Sequence, residues 1–587
     1  MIDLDLFPGN ASGARAFNGE PFVQDNVLRV VESGQQVRYA VWVDGARQPV
    51  VGRRVLPHGR WQTVRLADVP GMTAEFGLPN AVDSHNTWSM AMDADGYLHI
   101  SGNHHNHPLR YARSTNPRSI TAWTAAPMVG TNEGSVTYPQ FVRVGTGLLF
   151  FYRDGLSGTG NVLVNRYDTV SKTWSRLHSP LIDAVASAES PYLHYIGLGP
   201  DDSIHIAVIW RDSGAETNND VCHARSTDGG VTWRQMNGTA LSLPLTHGGW
   251  PPALDTPPTN FGLLNSCGMA VDANGHPHIG NEQWSSGQRT QYSHLYWNGT
   301  SWTNEVLTDW QYAMPFSVGA NAVNAELSRP ALVCAGGRTY MLYRHNRERP
   351  GALMLRDITP GGDQAEASIL NLPLWGCEFS INARTTIDHG RLEVLVCPAR
   401  QEDVTPPALP VNKWAAIDTC WANQVAGVIS ISLDDLDDVV HGRVRAPGLE
   451  LIASTAMEGS AYFTPTLSTS PVGLASFQVL IPGEYAGRRL VARHAGRWNL
   501  DQGSATSYTV ELNQTGTARA SLTTATALTT PVLMWHPVAL LDTSNMDDGT
   551  YVSLTAKVAG GSGSPRLRMT TGTLQVFAIV GSDGRPL

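Results

Sequence analysis

Short runs of alternating apolar and polar residues recur along the first three quarters of the chain, each introduced by a turn rich in Asp or Gly. The clearest are Tyr39 to Val43, Tyr97 to Ser101, Gly147 to Arg153, Ser203 to Trp210, His276 to Trp284, Arg338 to His345 and Arg391 to Cys397. A period of two marks a strand with one face toward a core. The starts of these runs lie 50 to 73 residues apart, which leaves room for about four strands in each repeat. Between them come segments in which a Trp stands just ahead of a further strand: Gly59 to Leu66, Ala122 to Met128, Lys172 to Leu177 and Thr300 to Leu307. A repeat of this size cannot bury its apolar face alone, and radial packing on its neighbours leaves few open sheet edges. The pattern therefore predicts an all-β fold, with a seven-bladed β-propeller over residues 1–440.

Ser226 to Trp233 reads SerThrAspGlyGlyValThrTrp, an Asp-box. Its Asp side chain is suited to cap a tight glycine turn while the Trp packs between sheets, so its role is structural. A β-sandwich with coincidental Trp spacing is the rival architecture, but sandwiches give turn signals every 8 to 12 residues without a Trp-bearing superperiod.

Near residue 440 the texture changes. Ser432 to Val444 reads as a polar connector, and beyond it Thr, Ser, Ala and Gly dominate in short alternating runs such as Ala475 to Ile481 and Arg488 to His494. A second, β-sandwich-like accessory domain is expected over 445–587, for carbohydrate binding, oligomerisation or packing against the propeller.

Composition narrows the function. Seventeen Trp and seventeen Tyr with only 16% charged residues exclude a disordered or coiled-coil protein. A net charge of −10 without any Lys/Arg run argues against nucleic acid, so an anionic polymer would need a local basic site. The six cysteines (Cys222, Cys267, Cys334, Cys377, Cys397 and Cys420) form no CxxC pair, and buried free thiols are expected. The first residues show neither a basic nor an apolar leader region, and no apolar run is long enough to span a membrane. The expected setting is extracellular or virion-associated, with no membrane partner.

Candidate chemistry is concentrated between Asp83 and Arg153. Four blocks lie there: SHN (Ser84 to Asn86), SGNHHNHP (Ser101 to Pro108), TYPQF (Thr137 to Phe141) and FYRDG (Phe151 to Gly155). Histidine, tyrosine and arginine recur without a nucleophilic Ser or Cys. β-Elimination at a sugar acid needs those three: a base for the C5 proton, a proton donor for the departing O4, and a cation on the carboxylate, whose charge grows as the enolate develops. Arg153 stays protonated and offers a planar fork; His85 or His105 can be neutral and basic near pH 7.

In their order and spacing these blocks resemble the BNR-repeat propeller lyases, of which the ulvan lyases are members. The likeness extends more thinly through Tyr152 to Asn161, Ile209 to Ser213 and the Asp-box, covering about residues 35–430, and leaves out the C-terminal part. It implies a polysaccharide lyase acting on a uronic-acid-containing, sulfated or rhamnose-linked polysaccharide. By the same resemblance His85 shares the base role, Tyr138 is acid and base, Arg153 neutralises the carboxylate and His105 helps to bind it. Tyr192, with Tyr195 as fallback, matches a further substrate tyrosine, and Asn86 and Arg211 are second-rank substrate contacts. The chemistry requires no cofactor. A structural metal, calcium or zinc, is compatible with the family, with Cys222, His223 and His205 as an incomplete set. The run His104 to His107 also suggests metal, but alternate strand residues face opposite ways. The partners expected are an anionic polysaccharide and, through the C-terminal domain, a second copy.

Two rivals stay open. A sialidase-type hydrolase shares the propeller and needs three arginines round a carboxylate, for which Arg53, Arg153, Arg211 and Arg329 are available. A non-catalytic glycan-binding propeller needs no acid or base. Each residue also has a plain structural alternative, such as Arg153 pairing with its neighbour Asp154.

Overall fold

The computed structural model describes residues 2–7, 26–43, 48–57, 59–72, 76, 88–156, 159–185, 187–214, 217–259, 261–311, 327–345, 352–370, 379, 381–396 and 427–443, and strands of the backbone between 448 and 580. Antiparallel sheets follow one another along the chain. Blade 1 comprises Val27–Glu32, Gln35–Val43, Pro49–Val55 and Gln62–Arg65; blade 2 comprises Trp88–Met92, Leu98–Gly102, Tyr111–Ser114 and Trp123–Ala125. Blade 3 is built from Val136–Val144, Gly147–Asp154, Asn161–Asp168 and Thr173–Ile182. Blade 4 holds Ser190–Leu193 with Gly197–Leu198, then Ile204–Arg211, Asn218–Ser226 and Pro252–Leu254. Blade 5 runs through Met269–Val271, Pro277–Ser285, Arg289–Trp297 and Trp302–Val306, and blade 6 through Ala331–Ala335, Arg338–Arg344, Leu353–Asp357 and Glu366–Leu370.

The first strands of successive blades are neighbours, so they line the axis, and the later strands lie progressively outward, as in a propeller. Six sheets thus have the four or five strands of a blade, where seven blades were expected. The seventh sheet has three strands among the described residues: Ile2–Leu6, Gly427–Ser432 and Arg391–Val396.

Between blades the inward faces of adjacent sheets interlock. Phe141, Phe150, Tyr152, Tyr167 and Trp174 fill one such layer, and Phe151, Ile206, Val208, Trp210, Trp233 and Trp250 the next. Each of these large side chains contributes roughly 1.5–3 kcal/mol by leaving water. The Ser226 to Trp233 turn anchors one layer. The Asp228 carboxylate accepts from the backbone N–H of Val231 and Thr232 at 3.0 and 2.9 Å, Gly229 and Gly230 take positive φ, and Trp233 is buried with its Nε1 donating to the Gly230 carbonyl at 3.1 Å.

The expected polar connector after Ser432 is corrected. Leu436–Val440 forms a short helix whose Leu436, Val439 and Val440 join a core cluster, while its two Asp residues, Asp437 and Asp438, are half-buried and Asp434 and Asp435 lie in the turn before it. A second helix, Ala383–His389, is capped by the Asn382 side chain, which accepts from the Thr385 N–H, and by Gly390 at φ 59°. Of the six cysteines, Cys222, Cys267 and Cys334 are free thiols; the other three lie outside the described residues. In the C-terminal part, strands from Gly448–Met457 to Arg566–Val580 form one five-stranded and one four-stranded antiparallel sheet. No helix among the described residues is long and apolar enough to cross a membrane.

Candidate active site

Strand polarity gathers the candidate residues at one end of the propeller. Tyr138 and Tyr192 sit near the starts of first strands, and Arg153 and Arg211 at the ends of second strands. Successive antiparallel strands reverse direction, so these positions share the same end.

One crossing brings blade 2 into the group. After the second strand of blade 2 the chain leaves its own sheet, and His105–His107 adds to the edge of blade 3, pairing His105 with Thr137 and His107 with Val136. Thr137 in turn pairs with Arg153 on its other side. His105, Thr137 and Arg153 are therefore successive rungs of one sheet. Two residues beside these rungs take the left-handed conformation that side chains other than glycine rarely adopt: Asn106 at φ 57° and Tyr138 at φ 58°. Tyr138 lies in a bulge between Thr137 and Gln140. The bulge re-aims its phenol ring, and the ring packs on the Arg153 guanidinium, whose Cζ is 4.8 Å from the centroid.

Arg153 is the centre of the cluster. It is 2% exposed, yet no carboxylate pairs with it among the described residues. Its Nη2 has Asn106 Oδ1 at 3.4 Å and Thr137 Oγ1 at 3.5 Å, the outer limit of a hydrogen bond, while Nε and Nη1 have no partner among the described residues. Asp154, the plain structural alternative, accepts instead from Asn132 at 3.2 Å. An uncompensated buried cation costs several kcal/mol, a cost that an arriving anion would offset. By contrast, Arg53, one of the arginines considered for a sialidase arrangement, is tied to Glu32 and Tyr39.

A second arginine continues the line. Tyr192 lies 5.9 Å from the Tyr138 ring and between two cations, with Arg153 Cζ at 5.6 Å and Arg211 Cζ at 4.1 Å from its centroid. Arg211 donates to Tyr192 Oη at 2.9 Å, Asn218 Oδ1 at 2.7 Å and Asn265 Oδ1 at 3.0 Å; the Asn265 carbonyl accepts from Arg329 Nε at 2.8 Å. Tyr138 and Tyr192 are 6% and 3% exposed, whereas His105 is half-buried. The group is a desolvated floor with an imidazole at its edge.

The remaining candidates divide. Tyr195 is not part of the group: it belongs to a core cluster and donates its hydroxyl to the Phe379 carbonyl. His104 is sealed against Ser101 Oγ at 3.2 Å, and burial, reinforced by Arg110, pulls its pKa down to about 3, so it stays neutral. Cys222 and His223 diverge as adjacent strand residues do: the thiol donates to the Trp250 carbonyl, whereas His223 Nε2 lies 3.2 Å from His205 Nδ1. No group of three or more His, Cys, Asp or Glu among the described residues is arranged to hold a metal ion. His85 and Asn86 lie outside the described residues. Sequence reading passed over Asn106, Thr137, Asn218 and Asn265, which carry no charge; the only signal available for Asn106 was its place between two histidines.

Gly160 supports Arg153 from behind. A Cβ there would stand 2.7 and 2.8 Å from Arg153 Cδ and Cγ and 2.9 Å from the Leu156 carbonyl oxygen. Gly160→Ala is expected to push the guanidinium aside. A shift of about 1 Å costs on the order of 10²-fold in rate, and overpacking costs about 1–3 kcal/mol. Steady-state kinetics beside thermal unfolding would register both.

Comparison with known proteins agrees with this architecture. Residues 37–310 match a BNR repeat-containing family. The polysaccharide lyase Uly1 is similar at 15% identity and a TM-score of 0.51, over 73% of this chain and 100% of that one. A PL25 ulvan lyase is similar at 16% identity and a TM-score of 0.52, over 74% and 99%, and its complex with -[GlcA(1-4)Rha3S]- at 16% and 0.51, over 73% and 99%. No curated protein sequence matches. What is shared at such identities is the fold.

Proposed function

We propose that this BNR-repeat propeller, which shares its fold with polysaccharide lyases, cleaves a uronic-acid-containing polysaccharide by β-elimination. The single observation that carries the reading is the buried Arg153 guanidinium, with two nitrogens unpartnered among the described residues beside the Tyr138 ring. Bound there, a uronate carboxylate would be neutralised, and its C5 proton would become acidic enough to remove. The proton leaves to Tyr138 or a histidine, the electron pair of the C5–H bond forms the C4–C5 double bond, the C4–O4 bond breaks, and O4 takes a proton from Tyr138. His105 helps to hold the carboxylate at the edge, and His85 shares the base role. Asn86, Tyr192 and Arg211 contact neighbouring sugar groups. The substrate class is an anionic polymer with glucuronate or iduronate residues, sulfated or linked to rhamnose. The C-terminal sheets act as an accessory sandwich.

The test is a panel of uronic-acid polysaccharides incubated with the protein, read by the new ultraviolet absorbance of an unsaturated uronate, which hydrolysis cannot produce. Tyr138→Phe is expected to keep polymer binding within about threefold and to lower turnover by about 10²–10⁴-fold, the usual contribution of a positioned acid or base.

A second reading, non-catalytic glycan binding, is favoured by the near-complete burial of Tyr138, Arg153 and Tyr192, because a sealed floor meets a polymer only at its rim. Tight retention of a uronate polymer with no absorbance change would establish it.

A further inference from the structure

Arginines in this propeller differ in what they face. Arg29, Arg38, Arg53, Arg143, Arg225, Arg338 and Arg384 each face a carboxylate. Arg113, Arg166 and Arg176 face neutral oxygens from half-buried positions; at the candidate site, among the described residues, the buried Arg153 and its neighbour Arg211 face only neutral acceptors: Asn106 and Thr137 for the first, Asn218, Tyr192 and Asn265 for the second. Three of these five acceptors are asparagine amides. Asparagine has the shape of aspartate without its charge, so the cations are positioned but not neutralised.

The seat beneath Arg153 is built with care for position. Asn106 holds its left-handed backbone by donating its N–H to Thr137 Oγ1 at 2.9 Å, and the Thr137 hydroxyl turns back to Asn106 Oδ1 at 3.4 Å. That internal exchange occupies both oxygens and leaves Arg153 the long contacts of 3.4 and 3.5 Å. A carboxylate at position 106 would make a short charge-assisted pair with Arg153.

We infer that Asn106 is a specificity-determining residue: a neutral seat that orients Arg153 while keeping its charge for an anion from outside. Aspartate there would close the site from within, competing with the substrate carboxylate for the same guanidinium. This rests on the reading of Arg153 as a carboxylate-binding residue, and it carries a consequence independent of turnover. Supplying a counter-charge to a buried cation stabilises the fold, so the change that damages binding raises stability.

The experiment compares the full-length parent with Asn106→Asp and Asn106→Gly, the latter because glycine adopts the positive φ freely. At pH 7 N106D is expected to melt about 2 °C or more above the parent. It should also bind sodium glucuronate at least about tenfold more weakly by calorimetry and raise KM for a cleaved polymer more than it lowers kcat. Because the new carboxylate is held down by Arg153, its gain in Tm is present above the ordinary aspartate range, near pH 3.9, and is lost as pH falls below it. N106G should show no gain in Tm at any pH. A parent that does not bind glucuronate, together with a pH-dependent rise in Tm for N106D, would end the uronate reading and leave the neutral seat standing. An N106D protein that melts at or below the parent, with no pH-dependent gain, overturns the seat.

Discussion

In Arg153→Lys, cleavage of the uronate polymer is expected to fall by about 10²–10³-fold, the scale of losing a preorganised donor to developing negative charge, while the fold persists. Lysine keeps the formal charge but not the planar fork, and it presents a single point donor on a flexible stem. The site also works against its charge. Its surroundings are the rings of Tyr138 and Tyr192, with a hydroxyl and an amide below, and burial without a counter-ion drives an ammonium toward its neutral form. The companion variant Arg153→Met separates function from folding. Removing an uncompensated buried cation in favour of an apolar side chain of similar length is neutral or stabilising, so R153M should be inactive and melt no lower than the parent. Parental kcat/KM in R153K would sink the role assigned to the guanidinium. A large loss of stability in R153M would mean instead that Arg153 holds the blades together.

What the sequence made legible follows from which physical pressure shaped each residue. Alternation located the second strands of blades 2 to 6 to within one residue at each end, and the latter part of Gln35–Val43 in blade 1, because one buried face imposes a period of two that no surface loop shares. Leu98–Gly102 and Ile204–Arg211 are examples. The Trp ahead of Gln62–Arg65 and the Trp that opens Trp302–Val306 marked fourth strands for the same reason. The count of seven is corrected to six full blades, since Arg391–Val396 carries the same alternation but belongs to a sheet of three strands among the described residues. The Ser432 to Val444 segment misled because its four Asp residues dominate the composition, whereas three apolar residues at helical spacing decide the packing.

At the site, Tyr138, Arg153, Tyr192 and Arg211 were legible as charged or aromatic groups in short blocks, and strand direction brought them together. Two features were not. The departure of His105–His107 from its own blade is a sheet-edge event with no sequence period of its own, and Asn106 is informative only for the charge it lacks. Tyr195, the fallback for Tyr192, lies between two strands with its side chain in a core cluster and its hydroxyl on the Phe379 carbonyl.

The same contrast between paired and unpaired charge predicts where the molecule is most fragile. Glu393 on Arg391–Val396 is fully buried. Its Oε1 accepts from Arg29 Nη1 at 2.7 Å, Arg38 Nη2 at 2.6 Å and Ser430 Oγ at 3.0 Å, and its Oε2 from Arg38 Nε at 3.0 Å. Arg38 passes the network on to Asp5 at 2.5 Å, and Asp5 also accepts from Trp61 Nε1 at 2.9 Å. Ile2–Leu6, Arg391–Val396 and blade 1 are thereby joined by one set of charges, so the strands that bring the two ends of the propeller together meet at this carboxylate.

Glu393→Gln keeps the volume and removes the charge, leaving Arg38 with Asp5 alone and Arg29 with the neutral Gln36. Breaking a buried pair from one side costs about 3–5 kcal/mol, and the expected result is a matching loss in urea unfolding with the Arg153 site initially intact. The pH dependence has a definite sign. Burial alone would raise this carboxyl, but Arg38 and then Arg29 outweigh it and hold the pKa down at about 2, against 4.5 for an ordinary glutamate. A depressed carboxylate contributes stability that is complete above its unfolded pKa. The parent should therefore lose this contribution as pH falls from about 4.5 toward 2, and E393Q should be flatter across the same window. A variant within about 1 kcal/mol of the parent, the range of a surface pair, would show that the closing sheet is held by apolar packing of Leu392, Val394, Ile429 and Ile431 rather than by this carboxylate.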